Sequence, residues 1–255
     1  MTPETLVVAM PVYDRVHWQA WRGDLMLAAR LARRFPEGSL AFIDLHGLPQ
    51  PHAQNLLIRR CLDMAMPSTG LRPDWILWVE GDTVPPPDSY DKLRAQAHPD
   101  TAPVVHGLSV DRDPPYQPSA WRFVREGGKV VALRPLYEWE PDKMYRVDHS
   151  GTCLTLFHSS VFGKLKEPWF RMRPFLQGEH KGAQCCISLS ARMHGAGIPI
   201  WLYTGCLVPH VSAELVVDPT MARAFQRSAP TGMRPISDYA DELQKELQSS
   251  TSFMS

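Results

Sequence analysis

Two carboxylates separated by a single glycine, Glu80-Gly81-Asp82, lie in the stretch "DWILWVEGDTVPPPD". Carboxylate oxygens are hard ligands suited to Mg²⁺ or Mn²⁺, and Gly81 lets the backbone come close to whatever is bound. A divalent ion held there could bridge a diphosphate and neutralise the charge of a departing group. A solvated acidic loop would carry the same triplet. The apolar run "WILWV" before it and Pro85-Pro86-Pro87 after it favour the end of a buried strand. His210 follows a second apolar stretch, in "LYTGCLVPHV". A lone histidine is commonly a surface or satisfied core residue, yet a neutral imidazole ligates Mn²⁺ well and could complete a site begun by Asp82.

The elements that must position these residues follow from the hydrophobic pattern. "TLVVAMPVY", "SLAFIDL" and "DWILWVE" read as strands. "HWQAWRGDLMLAARLARRF", "HAQNLLIRRCLDMA" and "DSYDKLRAQA" read as helices, the last with Asp88 as its N-cap. In the first helix Trp18, Trp21, Leu25, Ala28, Leu31 and Ala32 recur at three-to-four spacing and mark the expected apolar face. Strand and helix alternating over the first ~100 residues imply right-handed crossovers and a mainly parallel central sheet with helices on both faces. Ligands of such sheets bind beyond the carboxyl ends of the strands. That rim would carry Met10 to Tyr13, Asp44 and Glu80 to Asp82.

The second half is less regular. "APVVHGLSV" and "GKVVALRPL" read as strands around a proline-rich loop, "DRDPPYQPSAW", and "SGTCLTLFHSSVFGKL" as a strand leading into a short helix. "AQCCISLSARMHGAG" is a helix ended by glycine, "IPIWLYTG" a last strand, and "SDYADELQKELQ" a terminal helix before a loose tail. The expected organisation is one domain over 1–236, with halves at 1–100 and 101–236, then a helix and tail at 237–255.

Lys+Arg and Asp+Glu balance at 27 each, so no global field draws the chain to nucleic acid or to an anionic membrane. No basic-then-apolar leader and no apolar run of ~20 residues is present in the sequence, which points to a cytoplasmic protein without membrane insertion. Five cysteines without CxxC spacing fit a reduced setting, not a disulfide framework or structural zinc. "DHSGTC" lacks the strand-turn-helix context of a hydrolase nucleophile. Trp75, Trp78 and Trp201 fall in strands and belong to the core. Trp121 and Trp139 fall in loops and suit the acceptor side, where Arg112, Arg122 and Arg125 could meet an anionic group.

The order of these features resembles a GT-A-fold glycosyltransferase related to the family-2 group, of phage or bacterial type. The features are P-x-Y after the first strand, a strand-end Asp, "AQN" opening a helix, an acid-x-Asp after the third strand, "SGTCLTLFHSSVFGKLKEPWF" and the late "GIPIWLYTGCLVPHV". The resemblance runs from about Val7 to Val211 and implies transfer of a sugar from a nucleotide diphosphate donor with Mn²⁺ or Mg²⁺. Pro11, Val12 and Tyr13 would line the base pocket, Asp44 would contact base or ribose, and Asn55 would lie near the diphosphate. Glu80 and Gly81 would face the ribose or the metal's water shell, with Asp82 and His210 as ligands.

Inverting members place an E-D pair where this chain has Gln184, Cys185 and Cys186, so Glu179, with His180 behind it, is the expected catalytic base and a retaining route stays open. The acceptor is expected to be a glycan or a hydroxymethylated base in DNA, with Trp121 and Arg122 on its side; a DNA base would have to be extruded from the helix. Two other readings stand beside these: a nucleotide-sugar-binding protein without catalysis, and a metal-dependent hydrolase or nucleotidyltransferase using Glu80 and Asp82.

Overall fold

The computed structural model describes residues 2–13, 16–111, 116–127, 129–171, 185–212, 215–220 and 234–235. In chain order the first half gives β1 (Leu6–Val12), α1 (Trp18–Arg34), β2 (Leu40–His46), α2 (His52–Asp63), β3 (Trp75–Val79), α3 (Ser89–Gln96) and β4 (Val104–Leu108). Then come β5 (Ala120–Glu126), β6 (Lys129–Pro135), β7 (Met144–Val147), β8 (His149–Ser150), β9 (Leu154–His158) and α4 (Ser160–Gly163). The last are α5 (Cys185–Gly195), β10 (Ile200–Leu207), β11 (His210–Ser212), β12 (Leu215–Val217) and β13 (Arg234–Pro235).

A seven-stranded sheet of order β2-β1-β3-β9-β4-β10-β7 forms the centre. β1, β2, β3, β4 and β10 share one direction; β9 and β7 run against it. The fold is thus mixed α/β with a mainly parallel central sheet flanked by helices. Alternation along each strand sorts side chains to two faces. Val7, Ala9, Ile76 and Trp78 pack with α2 and α5, whereas Leu6, Val8, Leu77 and Val79 pack with α1 and α3. Every residue of "WILWV" is buried, as a strand covered on both faces requires. Its entry is pinned by Asp74, whose carboxylate accepts from both the Thr5 amide and the Thr5 hydroxyl at 2.8 Å.

α1 departs from the sequence reading. Its buried stripe is Ala20, Gly23, Leu27 and Leu31, while Trp18, Trp21, Leu25 and Met26 are exposed. Gly23 explains the choice: a Cβ there would lie 2.9 Å from Pro85 Cδ and 3.1 Å from Val84 Cγ1, so the glycine side is the one that can reach the proline segment. Asp88 sits at the N-cap of α3 without a capping bond and pairs with Lys92 at 3.2 Å instead. Trp121 is not in a loop. It belongs to β5, which joins β6, β8 and β13 in a separate sheet. Trp139 is likewise buried, in the main core. The terminal segment at 237–255 lies outside the described residues.

Candidate functional site

Because five strands share a direction, their C-terminal ends line one edge of the sheet, carrying Tyr13, Gly47, the Glu80–Asp82 triplet, Val110 and His210. The triplet turns sharply there. The Thr83 amide and hydroxyl donate back to the Glu80 carbonyl at 3.1 and 2.8 Å. The chain then runs antiparallel to the segment entering β11: Thr83 bridges His210, Val84 N–H donates to Pro209 O at 2.9 Å, and Val211 N–H to Asp82 O at 2.8 Å. This backbone pairing holds the two side chains together, with His210 Nε2 3.3 Å from Asp82 Oδ2.

The His210 ring has a defined polarity. Its Nδ1 lies 2.9 Å from Val110 O, and a carbonyl oxygen can only accept, so Nδ1 carries the proton. In the neutral ring Nε2 is then a lone pair facing a carboxylate. A second ring proton, or a cation between the two, would make this contact attractive. A metal-bound histidine that donates its other ring nitrogen to a backbone carbonyl has this arrangement. One carboxylate oxygen and one imidazole nitrogen suit Mn²⁺ or Mg²⁺ when a diphosphate and water fill the other positions. Among the described residues no group of three or more His, Cys, Asp or Glu side chains could hold a metal ion.

Glu80 occupies a different environment from Asp82. It is buried, and its Oε1 accepts from Trp78 Nε1 at 2.9 Å and Thr152 Oγ1 at 3.0 Å. Burial, with the Asp82 charge next, pushes its pKa up to about 7. Tyr13 leans on the same carboxylate. Burial and Glu80 raise its phenol well above the usual range, so it is a neutral donor. Glu80 therefore reads as an anchor of the turn, not as a residue facing a ribose. Gly81 lies against Pro11 and Val12, with Pro11 O and Val12 Cγ2 both 3.5 Å from where its Cβ would be.

The other expected site residues scatter. Val12 and Asp44 line a groove under α1, on the face of the sheet opposite Tyr13's contacts with Gln50 and Cys185. The two therefore do not share a single pocket with Tyr13. Asp44 also pairs with His46 at 2.6 Å. Asn55 does not face the rim: its Nδ2 donates to Phe170 O at 2.7 Å and its Oδ1 accepts from Phe170 N–H at 3.0 Å. The whole amide thus clamps a buried loop. Trp121, 3% exposed, stacks on His149 at 4.9 Å, which leaves it no open ring face for an acceptor; Arg122 beside it is exposed. Glu179, His180 and Arg112 lie outside the described residues. Cys185, where an acid of the E-D pair would fall, is buried against Gln54 Oε1, and burial pushes its thiol up to about 12, so it is no base at neutral pH.

Two surface features escaped the sequence reading. A groove of about 440 Å³ runs beside the Asp82–His210 pair, walled by Val84, Pro85, Pro209, Met26 and Trp18. The other is the groove under α1, of about 310 Å³. Three exposed apolar residues on one helix, Trp18, Trp21 and Met26, were the available signal. Among the described residues no helix is long and apolar enough to cross a membrane.

No family model matches the sequence and no curated protein does. Among solved structures the chain is similar to A197 from STIV, with a TM-score of 0.54 at 15% identity over 91% of this chain and 93% of that one. A weaker likeness is to GalNAc-T7, solved with UDP, GalNAc and Mn²⁺, with a TM-score of 0.46 at 10% identity over 82% of this chain and 44% of that one. At these identities what the A197 likeness shows is the fold.

Proposed function

We propose that this chain is a metal-dependent glycosyltransferase that moves a sugar from a nucleotide diphosphate to an acceptor hydroxyl. The observation that carries the reading is the Asp82–His210 pair, a carboxylate and an imidazole held 3.3 Å apart at the strand-end rim where α/β folds bind ligands. Asp82 and His210 would hold Mn²⁺ or Mg²⁺, which when bound offsets the charge growing on the leaving diphosphate. The chain's own part is positional. The Thr83–His210 bridge fixes the pair, the buried Glu80 network fixes the turn, and Val12 and Asp44 wall the groove that takes the nucleoside. Glu179 remains the proposed base.

The groove with Trp18 is the proposed acceptor site, because it adjoins the pair and offers an exposed indole face on which a sugar ring can stack. That favours a glycan over DNA. Arg30 and Arg34 of α1, which could have met phosphates, both bond Asp91 of α3.

A thermal-shift panel of nucleoside diphosphates and nucleotide sugars, with and without Mn²⁺, tests the donor and the metal together. Stabilisation should require both ligands and vanish in Asp82→Ala. Release of nucleoside diphosphate with sugar transfer supports the reading, whereas release of nucleoside monophosphate would identify a phosphoanhydride-cleaving enzyme instead.

A further inference from the structure

The groove under α1 holds a carboxylate with nothing to do. Asp24 lines it, and both of its carboxylate oxygens are shielded from solvent and, among the described residues, hydrogen-bonded to nothing. Burial alone pushes its pKa up to about 7. Leaving such a group unpaired is costly, because it has surrendered water and gained no partner. Apart from Asp44 and His46, which pair with each other at 2.6 Å, the rest of the groove is apolar, floored by Val8, Met10 and Val12 of β1 and flanked by Trp21 and Phe42, with a volume in the range of small-ligand pockets.

Its position ties it to the rim. Val12, at the groove's floor, touches Gly81, the residue before Asp82. Gly23, the residue before Asp24, packs on Val84 and Pro85, just beyond Asp82. A planar ring lying on Val12 would lie between Asp24 and the Asp82–His210 pair, and a turn of the Asp24 side chain toward the groove would bring its two shielded oxygens to the ring's edge.

We infer that Asp24 reads the base of the donor nucleotide and that the base is guanine; this rests on the donor reading given above. A carboxylate with two unpaired oxygens accepts two parallel N–H donors. Guanine alone among the common bases offers two adjacent donors on one edge, N1–H and the 2-amino group. Uracil offers N3–H between two carbonyl oxygens, which a carboxylate repels. Adenine and cytosine each place an acceptor nitrogen beside their amino group. The apolar floor and the Trp21 and Phe42 side chains suit the ring's faces, and Asp24 supplies the discrimination.

The test is binding of GDP, IDP, UDP, ADP and CDP with Mn²⁺, by calorimetry on the full chain and on Asp24→Asn. GDP should bind about tenfold or more tightly than the others, IDP included, since inosine lacks the 2-amino donor. Asp24→Asn, which turns an amide N–H₂ toward those donors, should lose that preference and leave UDP within about twofold of wild type. If the variant does not fold, the GDP-to-IDP ratio on the wild-type chain decides. Preference for another diphosphate, with binding still lost in Asp82→Ala, overturns the inference and leaves the donor reading intact. Binding of none overturns both, and a GDP preference that survives Asp24→Asn removes Asp24 from the role.

Discussion

The two faces of the central sheet handle polar groups differently. On the α2 and α5 face, several buried polar atoms find protein partners, Glu80 with Trp78 and Thr152, Asn55 with Phe170 and Cys185 with Gln54, although His106 Nε2 beside Phe157 finds none among the described residues. On the α1 face, Asp24 is shielded and unpaired, and Trp18, Trp21, Leu25 and Met26 stand in solvent. Interiors rarely leave a buried polar atom unsatisfied. The α1 face differs in holding a carboxylate unpaired among the described residues beside exposed apolar side chains, which makes it the candidate for ligand binding. Asp82 and His210 sit at the rim where the two faces meet. Substitutions among the paired groups should cost stability and spare binding, whereas substitution of the unpaired carboxylate should change binding and raise stability.

The largest expected effect is at the rim. Asp82→Ala should abolish the Mn²⁺-dependent stabilisation by nucleoside diphosphate. His210→Ala should weaken it by at least the ~10–100-fold that losing even a supporting residue of a metal site costs. Thermal unfolding with ligand titration measures both. Because Asp82 and His210 meet through a short antiparallel pairing of backbone, neither substitution should lower the unliganded transition by more than a few degrees.

Asn55→Ala tests the paired groups of the α2 and α5 face. It orphans the N–H and C=O of Phe170, which is fully buried and stacked on Trp78 at 5.6 Å. At ~1–3 kcal/mol for each orphaned group, urea unfolding should show a loss of about 2–5 kcal/mol. Nucleotide affinity in the protein that remains folded should stay within about twofold, whereas a diphosphate contact would lower it tenfold or more.

Asp24→Asn tests the open face through pH. The folded pKa of Asp24 is raised to about 7 from 3.8, so the folded chain holds a proton that the unfolded chain releases. Stability is then full below pH ~4 and falls as pH rises toward ~7. Among the described residues, the charged and titratable groups sharing the groove are Asp44 and His46, a mutually paired, exposed couple. Asn at position 24 should flatten the profile over that window. The variant should melt about 2–8 °C above wild type at pH 8, and the gap should close near pH 4.

How far the sequence reading reached follows the same division. The rim was readable because strand ends are local: an all-apolar run, two acids around a glycine and three prolines occupy one continuous stretch. The pairing of Asp82 with His210 came from the order of motifs, since no local pattern joins two residues so distant in the chain. Asn55 misled for that reason, its partner Phe170 lying 115 residues away. β5 was missed because "AWRFVRE" mixes aromatic and charged residues and its partners come from later in the chain. α1 misled differently. Its apolar arc, from Leu27, Ala20 and Leu31 round to Trp21, Leu25 and Trp18, is wider than one buried stripe, so spacing does not choose which edge of the arc packs. Gly23 was the only sign of which side meets another backbone.

That ambiguity gives the smallest expected change in stability and the most informative one about function. Trp18 is 68% exposed, so Trp18→Ala removes little buried surface and should shift unfolding by no more than about 0.5 kcal/mol. A large aromatic residue kept in solvent at the wall of a groove that Val84 and Pro209 also line is the proposed platform for a ligand. If a sugar ring of the acceptor stacks there, the loss of one aromatic contact, worth about 0.5–1.5 kcal/mol, should raise the acceptor KM about two- to tenfold. Donor affinity and metal dependence should not move. An unchanged acceptor KM alongside weaker donor binding would place the donor, not the acceptor, in the Trp18 groove and exchange the roles of the two grooves. A Trp18→Phe variant separates stacking from bulk, because its smaller ring should restore most of the lost affinity while a residue needed only for folding would show no KM effect in either variant.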